Sequence, residues 1–209
     1  MIDERLVHTV DYWKDIDMSS LENYTWKTWE KNTNNPTRLS RMPYTHRRPQ
    51  WEEDTPAICK EADTKSREIF KKINPNCEIV EIEKCIIQKV FKGNTLEQSN
   101  MHRDSPLEDR WTVLWYIVGD GNTTFYSALD LNTLTKEVEF KNGTAVVFPS
   151  QLWHAPGFPI EAEHRIIINY VYHVKNLIDQ EIPRAKCTCG QSQEFPYCDL
   201  THNTYYNLR

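Results

Sequence analysis

From residue 78 onward the chain is a succession of short β-branched runs broken by glycine-containing turns, and this pattern narrows the choice of fold class. Glu78 to Ile87 is β-branched and partly alternating, which predicts a strand. Trp111 to Val118 predicts another. Asp120-Gly121 then predicts a hairpin turn, because a type I′ turn needs positive φ at both central positions, with Thr123 to Ser127 as the returning strand. Lys136 to Phe140, the turn Asn142-Gly143 and Thr144 to Phe148 predict a second hairpin, and Arg165 to Val174 a last strand. A helix precedes this series. Pro56 can open it, Ile58, Ala62, Ile69 and Ile73 share one face, and Asn74-Pro75 ends it. The predicted class is mostly β with flanking helices, arranged as an antiparallel sandwich or barrel. Residues 1–77 read as an N-terminal support region with a helix at about 56–73, residues 78–176 as the β core, and residues 183–209 as a separate tail.

Composition removes several function classes. Lysine and arginine total 25 against 30 aspartate and glutamate, a net charge of −5, which disfavours binding to bulk DNA or RNA. No run of about 18 apolar residues exists, so a membrane-spanning helix is not expected. The first residues, Met1-Ile2-Asp3-Glu4-Arg5, do not resemble a secretory signal, so the expected location is cytoplasmic and reducing. There the scattered Cys59, Cys77 and Cys85 are expected to be buried free thiols.

Three polar residues suggest a metal. His102 and Asp104 lie two apart, so an extended segment turns both to one side and Arg103 to the other. A third ligand must come from elsewhere, and His154 in Trp153-His154-Ala155-Pro156 is the best candidate. Two histidines and a carboxylate with open positions opposite form the facial triad of non-haem Fe(II) oxygenases. Arg165 follows eleven residues later, at the head of the apolar run Arg165-Ile166-Ile167-Ile168-Asn169-Tyr170. Facing inward, it would need an anion such as a dicarboxylate. Neighbouring His164 would point to the opposite face, and His173 reads as a satisfied or solvated histidine.

Residues from about 78 to 174 resemble the Fe(II)/2-oxoglutarate-dependent dioxygenases, especially the small forms akin to the prolyl 4-hydroxylase catalytic domain. The resemblance rests on His102, Asp104, His154 and Arg165 in that order, with Thr112-Val113-Leu114-Trp115-Tyr116-Ile117 and Gly143-Thr144-Ala145-Val146-Val147-Phe148-Pro149 between them. It implies a double-stranded β-helix (jelly roll, cupin-like). His102, Asp104 and His154 would then hold Fe(II), and Arg165 would anchor 2-oxoglutarate with help from the Tyr116 hydroxyl. Asn169, on the same strand face as Arg165, is a further candidate for that co-substrate. O2 would be the oxidant, and succinate, CO2 and a hydroxylated small molecule or peptide the products.

The tail carries Cys187, Cys189, Cys198 and His202, a metal-binding set by spacing, for which zinc and iron–sulfur are both open. It is similar to the CDGSH iron–sulfur family, Cys-x-Cys-x2-Ser-x3-Pro-x-Cys-Asp-Gly-x-His, except that Leu200 stands where that family has glycine. The resemblance implies a 2Fe–2S cluster on three Cys and one His, and a homodimer through this module. The cluster would exchange electrons with a donor or the iron site, sense iron or oxygen, or staple the fold. The competing reading is a catalytically silent cupin-like scaffold whose cluster serves redox or sensing. A zinc-bearing cupin-like isomerase or lyase would leave Arg165 and Tyr116 without a role.

Overall fold

A computed structural model describes residues 7–11, 13–22, 24–28, 38–46, 49–92, 101–127 and 134–178. The tail residues Cys187, Cys189, Cys198, Leu200 and His202 lie outside them.

Two antiparallel sheets face each other, and one long helix covers the outer side of the larger. In chain order the elements are β1 (His8–Asp11), α1 (Ser19–Glu22), β2 (Lys27–Thr28), β3 (Arg38–Thr45), α2 (Ala57–Ile73), β4 (Glu78–Phe91), β5 (Arg110–Val118), β6 (Thr123–Tyr126), β7 (Leu134–Val138), β8 (Thr144–Pro149), β9 (His154–Pro156) and β10 (His164–Lys175). The larger sheet runs β1-β8-β5-β10-β4-β3-β2 and the smaller β7-β6-β9. The helix over 57–73 and the strands of the core stand where the periodicity predicts them.

Strand parity sorts the side chains into two cores. Odd positions of β5 (Val113, Trp115, Ile117) and even positions of β10 (Ile166, Ile168, Tyr170, Tyr172) pack with Ile58, Ala62, Ile69 and Phe70 of α2. The alternate positions, Leu114 and Tyr116 of β5 and Ile167 of β10, face the smaller sheet and meet Phe125, Val138, Val146 and Phe148. β10 is central, between β4 and β5, and so is buried on both faces. The same parity turns Arg165 and Asn169 of β10, with Thr112 of β5, inward alongside Ile167. Cys59, Cys77 and Cys85 are buried free thiols, as composition and compartment suggested.

Two turn expectations need correction. Asp120-Gly121 does not close a hairpin: β5 pairs with β8 and β10, whereas β6 pairs with β7 and β9. Asn142-Gly143 likewise carries the chain from β7 to β8 across the two sheets. The turn chemistry is right and the pairing is not. Gly121 (φ +96°) and Gly143 (φ +82°) both adopt the left-handed backbone that glycine permits. A β-carbon at Gly121 would sit 2.4 Å from the Phe158 carbonyl oxygen, and one at Gly143 1.9 Å from that of Trp13. These glycines let the chain turn a corner against another segment, so their φ values say nothing about which strand the next one joins. The hairpin partners are instead β6 and β7.

The sequence before residue 56 carries no clear period, yet β1 pairs with β8 and β3 with β4. β1 is four residues long, and β3 contains Pro43 and a register shift between Arg41 and Tyr44. A four-residue strand at the sheet edge and a bulged strand broken by proline have too few regular positions to show an alternation.

Candidate metal centre and anion end

One turn assembles most of the polar cluster. β8 ends at Pro149, and residues 150–153 lead directly into β9. The Ser150 carbonyl accepts the Asp104 and Ser105 amides at 3.0 and 3.2 Å. His102 and His154 exchange backbone hydrogen bonds of 2.9 and 3.0 Å, so His102 extends the smaller sheet beside β9. The side chains then converge. His102 Nε2 lies 3.8 Å from Asp104 Oδ1 and His154 Nε2 lies 3.7 Å from Asp104 Oδ2. One ligand atom from each residue falls within 4.8 Å of the others. The His154 and Asp104 side chains are 4% exposed and that of His102 46%, which leaves the cluster open on one side.

The surroundings fix each group's chemical state. His154 Nδ1 lies 3.0 Å from the Leu152 carbonyl, to which a protonated Nδ1 donates, leaving Nε2 with a lone pair facing the cluster. Burial, then His102 and Lys84, push the His154 imidazole down to about 4 against the pull of Asp104 and Leu152, so it is neutral at pH 7. Phe148 and Phe125 wall its ring, with centroids 4.9 and 5.9 Å away. Burial works to raise the Asp104 carboxyl. Electrostatic interaction with His154, His102 and Lys84, together with the Thr112 hydrogen bond, outweighs burial and holds it below the usual carboxylate range. Thr112 Oγ1 donates to Asp104 Oδ2 at 2.8 Å, and Asn169 Nδ2 sits 3.2 Å from both carboxylate oxygens. Lys84 Nζ donates to the Asp104 carbonyl at 3.0 Å and lies 3.8 Å from Oδ1.

Arg165 is the other pole. It is 2% exposed, its Nη1 donates to the Gly157 carbonyl, and its Nη2 lies 3.5 Å from Thr123 Oγ1. Its guanidinium lies 5.7 and 5.1 Å from the ring centroids of Tyr116 and Phe140, which stack on each other. The Tyr116 hydroxyl donates to Thr123 Oγ1 at 2.7 Å, and burial raises its pKa. Arg165 and Asn169 are four residues apart on β10, roughly 13 Å of strand. Ile167 and Leu114 lie between the two poles.

His102, Asp104 and His154 are therefore brought together, and Tyr116 is beside Arg165. Asn169 is elsewhere than expected: its amide nitrogen is committed to Asp104 at the opposite pole from Arg165. Its Oδ1 is buried with no hydrogen-bond partner among the described residues, and an acceptor cannot pair with a carboxylate. His164 rests against Phe91, and His173 Nε2 lies 2.7 Å from Asp109 Oδ2, both away from the cluster. Sequence reasoning missed Lys84, Thr123 and Ser150. Lys84 carried a faint signal, a cation inside a strand.

The donor set fits a divalent first-row metal. It comprises a neutral imidazole with an outward-facing Nε2, an exposed second imidazole and an ionised carboxylate, open on one side. The orphaned Asn169 oxygen offers an acceptor beside it for a bound water or ligand. No family model matches the sequence, and no curated protein does. Solved structures share the fold. A 2OG-Fe(II) oxygenase family oxidoreductase from Burkholderia pseudomallei superposes with a TM-score of 0.57 at 14% identity, over 87% of this chain and 89% of that one. A prolyl hydroxylase from Trichoplax adhaerens, solved with a peptide from the hypoxia inducible factor oxygen degradation domain, gives 0.52 at 15% identity, over 80% and 83%.

Proposed function

We propose that this chain is an Fe(II)- and 2-oxoglutarate-dependent dioxygenase that hydroxylates a small molecule or peptide. The carrying observation is the pairing, between the two facing sheets, of the His102–Asp104–His154 cluster with a buried guanidinium at the far pole. The overall reaction balances as substrate C–H plus 2-oxoglutarate plus O2 giving substrate C–OH, succinate and CO2. Iron, when bound, supplies the redox chemistry with O2.

The chain's own residues do the rest. His102, Asp104 and His154 hold the metal from one side. Arg165 receives the distal carboxylate of 2-oxoglutarate, joined by the Tyr116 hydroxyl as it turns from Thr123, a pairing that gains strength where water is excluded. Ile167 and Leu114 flank the space that the carbon chain would cross. Phe125 and Phe148 keep water from His154. The side at His102 admits the second substrate. A peptide suits this opening, because the neighbouring prolyl hydroxylase was solved with one. Among the described residues no helix is long and apolar enough to cross a membrane.

The reading extends to the tail on its sequence alone. Cys187, Cys189, Cys198 and His202 have the spacing of a 2Fe–2S site, with dimer pairing and electron exchange as its attendant roles. Anaerobic purification with iron and sulfide analysis tests both halves. The expected result is one mononuclear iron, a labile-sulfide cluster absorbing in the visible, and succinate release from 2-oxoglutarate with Fe(II). Asp104→Ala should lower succinate release at least 100-fold and keep the sulfide. A full-rate Asp104→Ala variant overturns the oxygenase reading, and a sulfide-free protein overturns the cluster.

A further inference from the structure

Asp104 is held by more than a metal site needs for simple proximity. A carboxylate only accepts, so the single Thr112 hydroxyl hydrogen points at Oδ2. Thr112 Oγ1 is then free to accept from Ser150 Oγ, 2.9 Å away, which fixes the direction of the relay: Ser150 to Thr112 to Asp104. Thr112 and Ser150 are both fully buried. The same Ser150 takes the Asp104 amide on its carbonyl, so one residue fixes both the backbone and, through Thr112, the side chain of Asp104. From the adjacent strand, on the same inward face as Thr112, Asn169 Nδ2 spans both oxygens at equal distance. Flipping this amide would set Oδ1 against a carboxylate, so the assignment is forced by charge.

We propose that Thr112, backed by Ser150, and Asn169 form a clamp that locks the Asp104 carboxylate plane, so that Asp104 gives the metal one oxygen only. This rests on the dioxygenase reading and adds positioning residues to it. Oδ2 carries the short Thr112 bond and part of the Asn169 contact. Oδ1 shares only Asn169, with the Lys84 ammonium 3.8 Å away, and is the freer oxygen. A carboxylate free to rotate could bring its second oxygen to the metal and fill a position that the 2-oxo acid needs. The clamp thus preorganises the ligand and keeps the open side open.

The test uses the full-length protein and Mn(II), a hard ion that prefers N/O donors to the thiolates of the tail. Binding is followed by the electron paramagnetic resonance signal of free Mn(II), and 2-oxoglutarate binding to the Mn-loaded protein by calorimetry. Thr112→Val, which keeps the shape and removes the hydroxyl, should weaken Mn(II) binding by about 10-fold or more and 2-oxoglutarate binding by about 10-fold. Thr112→Ser, which keeps the donor, should stay within about threefold of wild type on both. Asn169→Ala should follow Thr112→Val, and it carries the test if circular dichroism shows that Thr112→Val is unfolded. Wild-type affinities in a folded Thr112→Val protein, with or without a lowered melting temperature, overturn the clamp, as does a Thr112→Ser protein as weak as Thr112→Val. A wild-type protein that binds no Mn(II) overturns the metal reading itself, so the two failures are told apart.

Discussion

His102 stands with 46% of its side chain exposed at one pole of the space between the sheets, while Arg165 at the other pole is 2% exposed. The metal pole draws its three ligands from two backbone segments, 102–104 and β9, and opens to solvent. The guanidinium pole is sealed by Tyr116, Phe140 and the segment around Gly157. The contrast follows from what each pole would handle. A site where a second substrate and O2 enter needs access, whereas an anchor for a fixed carboxylate gains from dryness. Coulombic attraction grows as the dielectric falls, and a carboxylate that enters the sealed pole replaces hydration with a charged hydrogen-bond donor.

The comparison breaks most visibly at Arg165. Arg165→Leu should weaken 2-oxoglutarate binding by at least about 100-fold, because a buried anion left without its partner costs about 3 kcal/mol or more. Mn(II) affinity should stay within about threefold, since the guanidinium touches none of the three ligands. Calorimetry on the two ligands separately checks this, and equal losses in both would merge the two poles into one site.

A smaller effect sharpens the metal pole. The metal-free His154 imidazole is pushed from 6.5 to about 4, chiefly by burial. The unfolded chain therefore binds a proton that the folded chain refuses between these values, and stability rises with pH across that window. Acidifying the chelator-treated protein from pH 6.5 to 4 should cost about 3 kcal/mol through this residue. His154→Gln should lack that component, so urea midpoints of the two proteins should diverge below pH 6.5. Parallel curves would mean that the ring is solvated after all.

The smallest effect concerns the seal. The Asp120 carboxylate accepts the amides of Ile160 and Glu161 at 2.8 Å and of Ala162 at 3.2 Å, which ties down the segment between Gly157 and β10. Burial works to raise this carboxyl, but the three backbone bonds prevail and hold it below its ordinary value. Its support is thus present at neutral pH and fades as pH falls through that lowered value. Asp120→Ala should raise the KM for 2-oxoglutarate a few-fold and leave kcat and metal affinity near wild type. A change in kcat alone would place Asp120 in some other role.

Much of this was legible in local patterns. The helix over Ala57–Ile73 follows from the spacing of Ile58, Ala62, Ile69 and Ile73 and from its proline boundaries. The His-x-Asp pair follows from two-residue parity, which survives folding because the pleat enforces it, whereas His154 and Arg165 were marked by their order and spacing along the chain. Thr112 shares that parity with Tyr116, yet a threonine in a strand is so ordinary that nothing marked it as a partner of Asp104. Lys84 and Ser150 were hidden for a plainer reason: their contacts with Asp104 and Thr112 join segments 20 and 38 residues apart.

The chain's sequence by itself determined the long helix and the longer strands after it, which of their faces are apolar and which side chains have the chemistry to bind metal or anion. Only the tertiary structure decided which strands pair. It turned two apparent hairpins into crossings between sheets and moved Asn169 from the anion pole to the carboxylate of Asp104. The reason is range: backbone preference and side-chain parity act over a few residues, whereas pairing and hydrogen-bond partners are chosen by the packing of the whole sandwich.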